Sequence, residues 1–544
     1  MTIDQETNFF GRKDILDLLK KRAVGLKEGY RQNVAFLGGQ FIGKTSIIQK
    51  FLSDLDDEAI ITVYLDLENK DFTYIYEKFV GSILYNFSKT KQFPLHDDIS
   101  LLMENARHHI PRTIEEIKKI QESIAKGKIV EAYRQIISLP ETFTIESGKF
   151  CVIALDEFHS LDDLSIPNVF VELGKKIMMQ KRCIYLVTSS SEIKAQRILS
   201  EKLSLLFGNF ELVRVDPFDL QTSRAFVVHN LGQMKIGDQL KNFLTDFTGG
   251  HPLYLNLISK ELLRLGAIHK QEGVFRPLLL QAIEDTIFDR WGVLSRHFEL
   301  IVNNLCQGKG NCLVASLLIT LANGKYKIAE MTADIGIKRT HLLQRITKLM
   351  EIGVVVKNGN FYHFQDKLFK YWVKYVFQKR LKAISLDDEK LKEKFREELE
   401  EALNHFERVS KKDFSDRIIE LLHCFDNEAY RLNGRKYKLP LFREITPLKM
   451  ESGEGKVFDV IKAATASEVW FLVLEQHRIA EDDLMVFLAE SQKYEERPQK
   501  KIIISLNDLE QNARLKALQE RMWIWSESEL NTLLNLYDKP YIVR

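Results

Sequence analysis

Short apolar runs separated by longer amphipathic stretches organise the first part of the chain. Such a run, bounded by polar or turn-forming residues, is typical of a strand buried in a parallel sheet. The intervening stretches have the spacing of helices, and strands alternating with helices predict a doubly wound parallel α/β sheet. The predicted strands span residues 33–37, 61–67, 150–155, 183–187 and 212–215.

A glycine-rich loop follows the first apolar run. It reads Gly38-Gly39-Gln40-Phe41-Ile42-Gly43-Lys44-Thr45 and leads into a predicted helix from Ser46. The pattern Gly-x-x-x-x-Gly-Lys-Thr surrounds phosphate oxygens with backbone N–H groups. Lys44 would contact the β- and γ-phosphates, Thr45 would ligate Mg²⁺, and the helix dipole would face the anion. We therefore expect a nucleoside triphosphate site with ATP and Mg²⁺ as cofactors, although the pattern does not separate ATP from GTP.

Polar side chains end two further predicted strands. Asp156 and Glu157 follow the third run, at the sheet edge where open α/β folds bind ligands. Asp156 would hold Mg²⁺, and Glu157 would polarise the attacking water as a general base. After the fourth run, Thr188 and Ser189 would contact the γ-phosphate or the water, or would simply belong to a polar loop.

These motifs, in this order, resemble the archaeal-type ATPases of the STAND branch of AAA+ P-loop proteins. The resemblance covers residues 5–380 and includes Phe10-Gly11-Arg12 near the start and Gly249-Gly250-His251-Pro252 further on. It implies that Arg12 lies near the nucleotide and that His251 and Pro252 begin a lid helix over the phosphates. His251 would equally serve as a helix-capping or packing residue, while Pro252 suits the first turn of a helix.

One segment departs from that family. Relatives often carry a Gly-Arg pair after the fourth strand as an arginine finger, whereas this chain reads Phe207-Gly208-Asn209. Arg197 and Arg214 are the nearby substitutes. Because loss of a finger slows turnover by about 10³-fold or more, we expect slow ATP hydrolysis.

The remaining pattern divides the chain into further predicted domains. The ATPase core spans residues 1–217, with a helical insertion at 96–145 that is rich in periodic isoleucine and leucine. An all-helical lid is predicted at 218–300, and a charge-dense, solvated linker helix at 381–404.

Residues 301–380 resemble a winged helix. Helices are predicted at 313–322, 328–335 and 338–352, followed by a hairpin at 354–364 that turns at Asn358-Gly359. The module would bind DNA, or would instead act as a switch element packed on the nucleotide domain. The third helix exposes polar groups suited to phosphate and groove contacts, namely Lys338, Arg339, Gln344, Arg345 and Lys348.

Residues 405–544 alternate strands and helices again and resemble a restriction-endonuclease-like domain. Strands are predicted at 457–461, 469–477, 500–505 and 522–525. Asp459 and Glu475 match the acidic positions of that nuclease family, but His477 stands where a lysine is expected. Since a neutral histidine supplies less charge near the metal, we expect a vestigial nuclease site, with Lys493 as a phosphate contact. A slow nuclease, an inactive DNA-binding fold and a protein-interaction platform stay open.

Composition changes this picture little. The 544 residues contain 45% apolar residues and a net charge of +2, from 78 Lys plus Arg against 76 Asp plus Glu. This balance gives no global attraction to nucleic acid or membrane. The five cysteines (151, 183, 306, 312 and 424) form no metal-binding or disulfide pattern, and the polar start is unlike a signal peptide, so we expect a cytoplasmic protein.

The sequence thus predicts an ATP-binding switch protein with slow Mg²⁺-dependent ATPase activity that acts on or senses DNA. Two alternatives stay open. One is an ATP-gated nuclease of a defence or mobile-element system, and the other is a non-catalytic scaffold that forms homo-oligomers when ATP is bound.

Overall fold

The computed structural model describes residues 9–203, 210–306, 311–382, 388–432, 435–451, 457–475, 480–493, 498–506 and 509–542. The chain divides into two compact units. The first is Met1–Pro217 with Glu351–Gly353, and the second is Phe218–Met350 with Val354–Arg544. Among the described residues, no helix combines the length and the apolar character needed to cross a lipid bilayer.

A parallel sheet forms the centre of the first unit, as the apolar runs predict. Its strands pair in the order β2-β3-β4-β1-β5. Residues of β1 are buried alternately on both faces, and Val34 and Phe36 pack on one side while Ala35 and Leu37 pack on the other. The strands are β1 (Asn33–Leu37), β2 (Ile60–Asp66), β3 (Phe150–Asp156), β4 (Cys183–Ser189) and β5 (Phe210–Arg214).

Helices cover both faces of this sheet, so the predicted doubly wound α/β arrangement is confirmed. One face packs against α1 and α2, and the other packs against α3, α6 and α7. The predicted helical insertion is present as α4 to α6. The helices are α1 (Lys13–Lys27), α2 (Lys44–Asp54), α3 (Phe72–Thr90), α4 (Ile99–Ala106), α5 (Pro111–Ala125), α6 (Ile129–Ser147), α7 (Val169–Met179) and α8 (Glu192–Arg197), with short helical turns at Phe158–Leu164 and Ile198–Lys202.

The second unit begins with a helical bundle that also contains two short strands. Two parallel two-residue strands, β6 (Lys235–Ile236) and β7 (Gly273–Val274), pair within it. Strands this short carry no period-2 pattern, which is why the sequence predicted an all-helical lid. The helices are α9 (Leu220–Leu231), α10 (Asp238–Thr248), α11 (Pro252–His269), α12 (Arg276–Ile283) and α13 (Val293–Leu305), with a π-helical turn at Glu284–Phe288.

Three helices and an antiparallel hairpin follow, with bounds within two residues of those predicted. Asn358 pairs with Phe361 across the turn that contains Gly359. The elements are α14 (Asn311–Ala322), α15 (Ile328–Ile335), α16 (Arg339–Glu351), β8 (Val355–Asn358) and β9 (Phe361–Phe364), and then α17 (Lys367–Trp372), a π-helical turn (Val373–Phe377) and α18 (Gln378–Lys382).

The charge-dense helix is not the solvated linker that its composition predicted. It runs as α19 from Asp388 to Ser410 and buries the apolar stripe Phe395, Leu399, Leu403 and Phe406. Arg396 donates two hydrogen bonds, of 2.8 and 2.9 Å, to Glu284, whose side chain is 1% exposed. Because leucine and phenylalanine recur at helical spacing between the charges, the helix has one face that packs.

The final segment forms a mixed sheet in the order β12-β13-β14-β15-β16. The pairs β12–β13 and β13–β14 are antiparallel, and β14–β15 and β15–β16 are parallel. Strands occupy the four predicted positions as far as the structure describes them, with residues 476 and 477 outside the described ranges, and β10 to β12 were not predicted. The elements are α20 (Phe414–Leu422), β10 (Ala429–Leu432), β11 (Arg435–Lys438), β12 (Glu444–Glu451), β13 (Val457–Ala464), β14 (Val469–Glu475), α21 (Glu481–Gln492), β15 (Gln499–Ser505), α22 (Gln511–Gln519), β16 (Trp523–Trp525) and α23 (Glu527–Leu536).

We expect a partly buried histidine on β9 to make the second unit sensitive to acid. His363 lies 5.9 Å from the Phe361 ring and 4.6 Å from the Tyr326 ring. Burial, with a smaller contribution from the positive charge of Lys370, lowers the pKa of His363 to about 4. The unfolded chain therefore binds a proton at His363 more readily than the folded chain does. The contribution of neutral His363 to the free energy of unfolding is complete above pH 6.5 and is lost as the pH falls towards 4.

We expect His363→Phe to reduce this acid sensitivity by on the order of 2 kcal/mol between pH 7 and pH 4. Denaturant unfolding at several pH values measures the difference from the parent protein. A matched His341→Phe change, at an exposed position on α16, should leave the pH profile unchanged. Parallel profiles for the parent and His363→Phe would contradict the assignment.

Candidate functional site

The loop from Gly38 to Thr45 joins β1 to α2. Two of its residues have positive φ, Phe41 at 55° and Gly43 at 100°, and they curl the backbone just before α2 begins at Lys44. Ile42 is buried and anchors the loop in the core, whereas the Phe41 side chain is 54% exposed. Gln40 and Ser46 are exposed on either side. The backbone therefore bends sharply between β1 and α2.

Gly38 lies where two backbone segments approach closely. The N–H of Val215 donates a 2.7 Å hydrogen bond to the carbonyl of Leu37, just beyond the end of β5. A Cβ atom at position 38 would lie 2.2 Å from the carbonyl oxygen of Val215, so only glycine fits. Gly38, the first glycine of the motif, thus allows the backbone after β1 to pack closely against the residue that follows β5.

The Lys44 ammonium group is folded back onto the loop. Its Nζ donates to the carbonyl of Gly38 at 2.9 Å and to that of Gly39 at 2.6 Å, and lies 3.7 Å from Glu157 Oε1. Lys44 is 4% exposed. Burial lowers its pKa, and the negative charges of Glu157 and Asp156 oppose that shift. The group is positioned to meet an anion at the loop.

Three hydroxyl groups converge on the carboxylate of Asp156, which is 3% exposed. Thr45 and Tyr64 each donate to Oδ2 at 2.7 Å, and Thr188 donates to Oδ1. Burial and the neighbouring carboxylate raise the pKa of Tyr64, which stays a neutral donor. Tyr64 was not predicted, although a tyrosine near the end of β2 is a weak signal for such a contact.

Glu157 occupies a strained turn directly after β3. Its φ is 51°, in the left-handed region. Its Oε2 accepts hydrogen bonds from Ser190 N at 2.7 Å and Ser190 Oγ at 2.9 Å. The Nδ1 atom of His159 lies 3.3 Å from the same oxygen and 3.0 Å from Ser189 Oγ. Burial lowers the pKa of His159, so its ring is neutral near pH 7. The sequence predicted a role for Ser189 but not for Ser190 or His159.

The edge of the sheet carries a surplus of negative charge. Asp66 lies opposite Asp156 in the β2–β3 register, and Glu68 follows two residues later. Partial burial, together with Glu157, Asp66 and Asp156, raises the pKa of Glu68. No three His, Cys, Asp or Glu side chains in the described ranges form a preformed metal cluster. A hard cation would therefore need oxygens from a ligand or water beside Thr45 and Asp156.

The predicted arginines have protein partners. Arg12, with a φ of 57°, donates to the carbonyl of Asp216. Arg214 lies 2.8 Å from Asp216 Oδ1 and 3.6 Å from Glu192, and Arg197 forms an exposed 3.5 Å pair with Glu201. The segment 207–209, where an arginine finger was expected, lies outside the described residues.

His251 and Pro252 belong to the second unit. His251 is the N-cap of α11 and Pro252 is its first residue, as predicted for a helix start. The His251 ring stacks on Tyr254 with the centroids 3.9 Å apart. The side chain makes no capping hydrogen bond to α11, and contact of His251 with a nucleotide stays a prediction.

Of the expected nuclease residues, Asp459 lies on a described strand of the C-terminal sheet, and its grouping with Glu475 and His477 stays a prediction. Asp459 on β13 lies opposite Leu474 on β14, and residues directly opposite share a face. The Glu475 side chain and His477 lie outside the described residues. Lys493 ends α21 and pairs with Glu490 at 2.6 Å.

No protein-family model and no curated protein matches the chain. Among solved structures, a Walker-type ATPase of Pyrococcus abyssi matches 68% of this chain and 97% of its own, with 15% identity and a TM-score of 0.47. The Aeropyrum pernix ORC2 protein, in ADPNP–ADP complexes, matches 69% and 96%, with 9% identity and a TM-score of 0.44. The Thermotoga maritima RuvB Holliday junction branch migration motor matches 68% and 98%, with 11% identity and a TM-score of 0.36. Similarities at this level do not establish a shared activity.

Proposed function

We propose that the protein is an ATP-binding switch of the STAND type with slow Mg²⁺-dependent ATP hydrolysis. One observation carries the proposal. The curled loop 38–45, the Lys44 ammonium group, the Thr45 hydroxyl and the Asp156 carboxylate converge at the carboxyl edge of one parallel sheet. Backbone N–H groups, a lysine, a hydroxyl and a carboxylate in this arrangement suit a triphosphate and its cation.

The donor set fits a magnesium ion bound together with a triphosphate. Thr45 Oγ1 and Asp156 Oδ2 are hard oxygen donors 2.7 Å apart, and the surrounding carboxylates add negative charge. When bound, the cation would neutralise charge on the phosphates. Lys44 would exchange the carbonyls of Gly38 and Gly39 for phosphate oxygens, and Arg12, His251 and Pro252 are proposed as further nucleotide contacts by family resemblance.

The slow rate follows from the state of Glu157. As general base it must accept a proton from water, yet its Oε2 already accepts two hydrogen bonds from Ser190. Hydrogen bonds to a charged group contribute about 1.5–3 kcal/mol each, so using Oε2 as the base would add to the barrier. The other oxygen, Oε1, lies 3.7 Å from the Lys44 ammonium group. A protein that holds ATP longer than it hydrolyses it is suited to switching.

The first test concerns nucleotide binding by Lys44. We expect Lys44→Ala to weaken ATP affinity by about 100-fold, because charge-assisted hydrogen bonds contribute on the order of 3 kcal/mol. Titration with a fluorescent ATP analogue and Mg²⁺ measures the change. Lys50→Ala on the same helix removes an exposed lysine paired with Asp54 and should bind normally. Parent-like affinity in Lys44→Ala would refute the proposal.

The second test separates binding from chemistry. We expect Glu157→Gln to bind ATP like the parent but to turn over about 100-fold more slowly, since a general base contributes 10²–10⁴-fold. Phosphate release under saturating ATP measures this. Glu68→Gln removes a neighbouring negative charge but no base, and should retain most of the activity. Equal loss in both variants would mean that charge, rather than base catalysis, explains the effect.

A second proposed activity is DNA binding through α16. Lys338, Arg339, Arg345 and Lys348 lie at or near the surface, and none has an ion-pair partner within the described ranges. Cations left without counter-charges on one helix are the electrostatic signature of a phosphate-binding surface. The Glu475 side chain and His477 lie outside the described residues, so DNA cleavage is not part of the proposal.

We expect Arg345→Glu to weaken binding of a duplex oligonucleotide about tenfold and to lower the salt slope by about 0.9 per lost phosphate contact. Fluorescence anisotropy at several salt concentrations measures both quantities. Lys325→Glu reverses the charge of an exposed lysine just before α15 and should have little effect. Identical salt slopes in the two variants would remove α16 from the DNA-binding surface.

A further inference from the structure

A cavity of about 560 Å³ opens at the amino ends of β15 and β16 in the second unit. It lies at the opposite end of β14 and β15 from the Glu475–Ser505 pair, and so away from the expected nuclease residues. Its size is that of sites for ligands larger than a single phosphate. The residues that line it are Leu488, Gln492, Gln499, Lys500, Lys501, Glu520, Arg521 and Trp523.

Positive charge dominates the lining. The lining contains three basic residues, Lys500, Lys501 and Arg521, and one acidic residue, Glu520, which lies 3.4 Å from Lys516 outside the cavity. Arg521 is exposed, and its guanidinium group has no ion-pair partner in the part of the chain that the structure describes. The cavity therefore favours an anion.

An aromatic ring lies beside Lys500. The Trp523 ring packs edge-to-face against Tyr437 and Trp470, with centroids 4.6 and 5.1 Å away. The Lys500 ammonium lies 5.0 Å from the Trp523 centroid and 3.3 Å from Glu468. These contacts fix the indole in place before any ligand arrives, which reduces the entropy that binding would cost.

Arg521 adopts a backbone conformation that favours glycine. It follows α22 with a φ of 54°, and the hydrogen bonds from Met522 N to Ala517 O and from Arg521 N to Leu518 O form a Schellman ending. Glycine is the usual residue at this position because a Cβ atom is strained there. An arginine in its place, at the mouth of a cationic cavity, points to a role beyond folding.

We infer that this cavity binds a nucleotide unit of single-stranded nucleic acid, with Arg521 on the phosphate and Trp523 against the base. Cations beside a rigid aromatic ring are the elements that single-stranded nucleic-acid sites combine. The site shares no residue with the proposed ATP site or with α16, so it stands or falls independently of both.

The test uses the full-length chain and a fluorescent oligodeoxythymidylate of about ten nucleotides, within the size range of such sites. We expect Arg521→Glu to weaken binding at least about fivefold and to lower the salt slope by about 0.7 for the lost contact. Arg514→Glu makes the same charge change at an exposed position on α22 outside the cavity, and should bind like the parent. Failure of the parent to bind, or equal binding by both variants, overturns the inference.

A second variant separates ligand contact from folding. Arg521→Gly relieves the backbone strain, so we expect a thermal midpoint equal to or above that of the parent together with weaker oligonucleotide binding. Lys270→Gly relieves the same strain at a φ of 52° beyond α11 and should leave binding unchanged. Unchanged binding by Arg521→Gly overturns the inference. If thymidine monophosphate competes as well as the oligonucleotide, a free nucleotide is the ligand and the nucleic-acid assignment is wrong.

Discussion

The candidate site depends on the hydrogen bonds that the Asp156 carboxylate accepts. It ends β3 and is held by hydroxyl groups from β2 (Tyr64), β4 (Thr188) and α2 (Thr45). A buried carboxylate is costly unless hydrogen bonds replace its water, and three donors meet that need here. The same hydrogen bonds connect the neighbouring strands and the helix after the loop. A cation that replaced one hydroxyl at Asp156 would therefore change contacts in several elements of the first unit. The negative charge of Asp156 thus serves both the packing of the first unit and the proposed binding of a cation.

The strained residue after that carboxylate explains how two adjacent acids acquire different surroundings. Left-handed backbone costs a non-glycine residue roughly 1–2 kcal/mol. At Glu157 it reverses the chain immediately after β3, so that Asp156 faces the hydroxyls while Glu157 reaches Ser190 and His159. The Glu157 N–H also donates to Thr188, at 2.9 Å, which links the turn to the network around Asp156. Strain maintained by surrounding contacts at a sheet edge is a common property of functional sites.

The sequence predicted the parts of this site that depend on local pattern. Loop 38–45, β1, β3 and the acids that end β3 are contiguous motifs, and the structure has them close to the expected bounds. Tyr64, His159 and Ser190 were missed because their partners lie on other strands or across a turn, and no spacing within one element indicates such contacts. The apolar stripe of α19 is visible in the sequence, but the many charged residues around it led to the prediction of a solvated helix. The register that sets Asp459 opposite Leu474 depends on how two strands pair, and neither strand alone fixes that pairing.

Contacts in the second unit cross the domain limits that the sequence suggested. Lys367 on α17 forms a 2.8 Å pair with Asp246 on α10, and the N–H of Tyr541 donates to the same carboxylate at 2.9 Å. Arg417 on α20 donates to the carbonyls of Pro540 and Tyr541. The apolar core of the C-terminal sheet also includes Tyr326 and Phe361 from the helix–hairpin module. Since separately folded domains would each satisfy such charges internally, the bundle, the hairpin and the sheet are expected to unfold together, and a ligand bound at the sheet would stabilise all three.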